Sequence, residues 1–154
     1  MTAKEYLGQV QLLDKRVKVL TERMEETETA LTSISMDLSK ERVQGGRGVD
    51  NLALLEKLDE LTEEQNELRL QLLVKRTRIS NQINGLSKYI YVYILTERYL
   101  KGRRLDEIAG DEELLQYKPR RDKDPYSGTH IYRLHGLALK EFAEMYAPFY
   151  DNVI

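Results

Sequence analysis

The stretch "YSGTHIYRLHGLALKEF", residues 126–142, places Thr129, His130, Tyr132 and Arg133 shortly after Ser127, with Gly128 between. Hydrogen-bond donors, a ring and a cation of this kind reach base edges and phosphates from the first turns of a helix lying in the DNA major groove. Clusters of arginine and lysine supply the accompanying phosphate contacts. The candidates are Arg103, Arg104, Lys118, Arg120 and Arg121. Other chemistry finds little support. His130 and His135 are five residues apart, so on a helix they do not share a face as a metal-binding pair would. Asp122 and Asp124 lie outside any calcium-loop pattern, and the glycines at 45–48 are not followed by the lysine and serine of a phosphate loop. No cysteine is present to act as nucleophile. Catalytic residues, a metal and a cofactor are therefore not expected.

Helical spacing must position these residues. Ser127 stands where a helix N-cap would, and Ile131, Leu134, Ala138 and Phe142 recur at steps of three and four to form an inward face. Thr129, His130, Tyr132, Arg133 and Lys140 fall on the other side. Upstream, "YIYVYI" alternates as a strand would, but "ILTERYL" continues with helical spacing and no partner strand exists. A helix is expected over about 87–101, stopped by Gly102. Tyr89, Tyr93 and Tyr99 are expected to pack within the protein. A short helix over 105–109 follows, then an interruption at Gly110, a further turn in "DEELLQY" and a basic loop ending at Pro125.

The first half reads as a helical hairpin. Thr2 and Glu5 form a capping-box pattern. Val10, Leu13, Val17, Leu20, Met24, Leu31, Ile34 and Leu38 then follow a heptad seam, with Thr27 in the missing step. A glycine-rich loop is expected over about 39–50. A second seam runs through Leu54, Leu58, Leu61, Gln65, Leu68, Leu72, Lys75, Ile79 and Leu86. Folding back at the glycines gives facing residue numbers that sum to about 92, with Thr27 opposite Gln65. Tyr6 and Val17 would then face Leu86 and Lys75, leaving the base to be covered by the C-terminal domain or by a second copy of the chain.

Composition bounds these readings. The 154 residues are 32% charged with a formal net charge of -2, so any DNA contact must rest on local clusters. No apolar run has the roughly 18 residues of a membrane span, and the first residues carry no apolar leader. The absence of cysteine fits a reducing cytosol.

"MTAKEYL" at the start, "ERVQGG" between the long helices and "YS…YRLHGLAL" near the end resemble a phage and prophage family of unknown function. The family is related to ArpU-type and RinA-type transcription regulators. Its C-terminal half is similar to the region-four helix-turn-helix of sigma factors. The resemblance implies an all-α protein, with an antiparallel coiled-coil hairpin at 1–86 and a helix-turn-helix domain at 87–154. The first motif helix would be "LDEIA" and the reading helix "SGTHIYRLHGLAL". Against the family pattern, 110–125 is an insertion between them. The implied function is a double-stranded-DNA-binding regulator, with RNA polymerase or a phage protein as a further partner and self-association through the hairpin. The alternative is an adaptor that acts through the hairpin without touching DNA.

Overall fold

A computed structural model describes residues 1–40, 47–119 and 124–150, and the side chains of all but 35–40 and 47–50 among them. The chain is all-α, with no strand among the described residues. Two long helices come first, α1 (Ala3–Lys40) and α2 (Arg47–Asn84). Next is α3 (Tyr89–Leu95), which continues as a π-helical turn over Thr96–Leu100. There follow α4 (Leu105–Ala109), a 3₁₀ segment (Glu112–Tyr117), α5 (Gly128–Tyr146) and a 3₁₀ turn (Ala147–Phe149). No helix among the described residues is long and apolar enough to cross a membrane. Contacts divide the chain into two compact units, Leu13–Leu73 on its own, and Met1–Leu12 together with Val74–Ile154. The seam pattern alone suggests a division at residue 86, whereas the contacts group both helix bases with the C-terminal helices.

In the unit Leu13–Leu73, the seam residues of α1 and α2 face inward. Leu20, Leu61 and Gln65 are buried, and Leu13, Val17, Met24, Leu54, Leu58, Leu68 and Leu72 are half-buried. The Gln65 side-chain amide donates to the Thr21 hydroxyl at 2.7 Å, a buried polar group satisfied across the seam. This corrects the expected pairing with Thr27, whose hydroxyl bonds the Arg23 carbonyl within its own helix. Facing numbers therefore sum to about 86 here. At the base, Lys75 donates to Gln9 and the Tyr6 hydroxyl to Gln82, again on sums well below 92. The register is offset by close to one heptad. Such an offset leaves every apolar position in the seam, because the pattern repeats every seven residues. α1 extends to Lys40 and α2 begins at Arg47, so Gly48, expected in the loop, lies inside a helix. Gly45 and Gly46 lie outside the described residues.

In the other unit, α1 starts as the sequence indicates. The Thr2 amide donates to the Glu5 carboxylate at 2.7 Å and the Glu5 amide to the Thr2 hydroxyl at 3.2 Å, a reciprocal capping box. Tyr6 is 1% exposed; its ring stacks on Tyr150 at 4.5 Å and tilts against Phe142 at 6.1 Å. The base of the hairpin is thus covered by the chain's own C-terminal segment. α3 is a helix, as its later spacing indicates, and Gly102 at φ 72° ends it in a conformation that favours glycine. Ile94, Leu105, Ile108, Ala109, Leu114, Tyr126 and Ile131 form one core cluster. Leu114 belongs to the segment read as an insertion, yet it is fully buried. Tyr99 is buried as expected, but Tyr89 is 79% exposed and does not pack.

Candidate nucleic-acid interface

α5 begins where the Ser127 hydroxyl accepts from the His130 amide at 3.1 Å, satisfying one of the helix's free N–H groups. Ile131, Ala138 and Phe142 are fully buried and Leu134 is half-buried. This inward face turns Thr129, Tyr132, Arg133, Gly136, Leu137 and Lys140 to the surface. Tyr132 is 55% exposed. Arg133 makes no ion pair with a described residue. His130 differs from its neighbours. It is half-buried, with its ring 4.9 Å from that of Tyr126, so part of it packs inward.

The residues expected to hold phosphate are arranged differently. Arg103 donates to both oxygens of Asp111, at 2.6 and 2.7 Å, and to Glu97 at 2.9 Å. Its guanidinium is neutralised by two carboxylates and ties the turn after α3 to the start of the 3₁₀ segment. Lys101 takes the second Glu97 oxygen at 2.6 Å, and the Tyr93 hydroxyl donates to Asp111 at 2.6 Å. Electrostatics follow this geometry. Burial alone would raise the Glu97 carboxyl, but Lys101 and Arg103 outweigh it and hold the group below its ordinary pKa. The hydrogen bonds from Arg103 lower the Asp111 carboxyl against its burial. Burial, then Asp111, pushes the Tyr93 phenol up.

Arg104 is tied to Glu107 by an exposed pair at 3.1 Å, a contact with little hold on its charge. Lys118 folds back, donating to the Asp124 carbonyl at 2.8 Å with its ammonium 4.5 Å from the Tyr126 ring centre. Arg120 and Arg121 lie outside the described residues. An Asp106 oxygen would be 3.6 Å from a β-carbon at Gly128, so a carboxylate stands beside the first turn of α5. The structure thus brings Thr129, Tyr132 and Arg133 to one surface and engages Arg103 with Glu97 and Asp111.

Sequence reasoning missed the Glu97–Arg103–Asp111 network. Glu97 and Lys101, four apart on a helix, gave half the signal. Asp111 gave none, because the turn that brings it to Arg103 has no local signature. Charge also divides between the units. Met1–Leu12 with Val74–Ile154 carries 15 basic and 12 acidic residues, and Leu13–Leu73 carries 9 and 14. The net charge of -2 is a sum of +3 and -5, so the unit that contains α5 is cationic. No protein-family model matches this chain, nor does any curated protein or solved structure.

Proposed function

We propose that this chain is a phage-type, DNA-binding transcription regulator of the bacterial cytoplasm, with α4 and α5 as a divergent helix-turn-helix and α5 seated against the duplex. One observation carries the reading: the N-terminal half of α5 is sealed on its apolar side and presents Thr129, Tyr132 and Arg133 outward. Arg133 and Tyr132 would read base edges, and Thr129 with the free N–H groups of the first turn would meet a phosphate. The positive balance of this unit supports the reading. The segment 110–119 is consistent with it as well. Leu114 fills the space between the motif helices from within the core, so their crossing angle does not depend on a tight turn.

The adaptor reading is favoured by a different observation. Arg103 and Arg104 already meet carboxylates, Asp106 stands beside the α5 N-terminus, and the hairpin unit is acidic. It would offer the hairpin to a basic surface on a polymerase or phage protein, or to a second copy. Mobility shifts with native upstream DNA at two salt concentrations separate the two. DNA binding predicts a shift that weakens with salt, and Arg133→Ala then relaxes sequence preference by about 1–3 kcal/mol. No shift at low salt would leave the adaptor.

A further inference from the structure

We infer that Lys4 and Arg98, rather than Arg103, supply phosphate contacts beside α5; this rests on the DNA-binding reading above. Arg98 lies in the π-helical turn, with its guanidinium 5.8 Å from the centre of the Tyr99 ring. The Tyr99 hydroxyl meets His135 Nε2 at 2.9 Å, and the two rings stack at 5.8 Å. Arg98 is thereby held close to the middle of α5. The Gln11 side-chain amide donates to the Arg98 carbonyl at 2.6 Å and fixes the first turns of α1 against the same segment. Lys4 is exposed on those turns, two residues before Tyr6, whose ring lies 6.1 Å from that of Phe142 in α5. Both cations act on His135, which burial first, and then Arg98 and Lys4, hold at a pKa of about 4. A neutral imidazole adds no charge of its own, so the positive field there comes from its neighbours.

Neither cation makes an ion pair with a described residue. Arg98 donates to the Arg103 carbonyl at 3.2 Å, which leaves its charge uncompensated. The acids close in sequence are engaged elsewhere. Glu5 is bound to Thr2 in the capping box, and Glu97 to Lys101 and Arg103. One position on from His135, a β-carbon at Gly136 would meet nothing within 4 Å, so the helix surface is open to an approaching strand. Arg98 is half-buried, whereas Lys4 and the cations on the outer face of α5 itself, Arg133 and Lys140, are exposed. A free cation pair flanking an open helix face suits a polyanion that follows a groove, and a phosphate backbone has that form.

Lys4→Gln and Arg98→Gln test this, with Lys57→Gln, an exposed cation of the hairpin unit, as the control. Binding to a labelled mixed-sequence duplex is followed by fluorescence anisotropy between about 50 and 200 mM salt. Each lost phosphate contact lowers the log–log salt slope by about 0.9 and weakens binding about eightfold at 0.1 M salt. Sequence preference stays as in the parent, unlike Arg133→Ala. Should Arg98→Gln fail to fold by circular dichroism, Lys4→Gln decides alone. A parent that binds with both variants unchanged, or a Lys57→Gln loss of equal size, overturns this inference and spares the DNA reading. A parent that binds no duplex overturns both.

Discussion

Leu114→Ala probes whether 110–119 belongs to the core or is a peripheral loop between α4 and α5. Leu114 is fully buried among Ile94, Leu105, Ile108, Ala109, Tyr126 and Ile131. Truncation removes three carbons, worth about 2.4 kcal/mol at about 0.8 kcal/mol each. The cavity left behind adds to this wherever the neighbours fail to collapse, which gives a loss of about 3 kcal/mol within the observed range of 2–5. For a unit of this size that loss lowers Tm by roughly 10–20 °C. The assay is selective by composition. All ten tyrosines and both phenylalanines lie outside Leu13–Leu73, so urea unfolding followed by intrinsic tyrosine fluorescence reports the other unit alone. Leu70→Ala, at a position 62% exposed on the hairpin, is the control and should leave that transition within about 0.5 kcal/mol of the parent. A Leu114→Ala loss below about 1 kcal/mol would refute the reasoning, because a peripheral loop could then account for the segment.

Three further predictions address other parts of the molecule. Arg103→Ala should cost about 2 kcal/mol in the same assay, since it leaves the buried Glu97 and the half-buried Asp111 under-compensated at a partly exposed site, whereas Arg104→Ala should cost less than about 0.5; equal losses would mean the network is not structural. His135 should make stability rise with pH between about 4 and 6.5: its folded pKa of about 4 lies below the unfolded value, so in that window the unfolded chain binds the extra proton. Full burial would give about 3 kcal/mol, and the half-buried ring retains about 1–2; urea midpoints at pH 4.5 and 7 should differ by less in His135→Asn, and an unchanged difference would exclude His135 as the source. The hairpin register can be read by oxidation in a chain with no native cysteine: the pair Thr21→Cys with Gln65→Cys should cross-link faster than Thr27→Cys with Gln65→Cys, and the reverse order would restore the glycine-centred register.

The local signals in the chain were legible because they depend on residues close in sequence. Thr2 with Glu5, Ser127 ahead of α5, Gly102 after α3 and Leu105–Ala109 as a helix all follow from backbone groups that near neighbours must satisfy or stop. The inward face at Ile131, Ala138 and Phe142 follows from helical periodicity, and the outward position of Thr129, Tyr132 and Arg133 follows from it in turn. The fate of a long cation was not legible in the same way. Arg103 and Arg104 are adjacent and alike in type, yet one is held by Asp111 and Glu97 and the other by an exposed Glu107.

By itself, the sequence determined that the chain is helical, where its capped helices begin and which side of each turns inward, because these depend on spacing and on neighbouring backbone groups. Tertiary structure alone decided the heptad register, the burial of Leu114 and the internal role of Arg103. A repeating seam scores equally well when shifted by seven residues, so its pattern alone does not choose between registers. A cation likewise pairs with whichever carboxylate the fold brings within about 3 Å, however far apart the two lie along the chain.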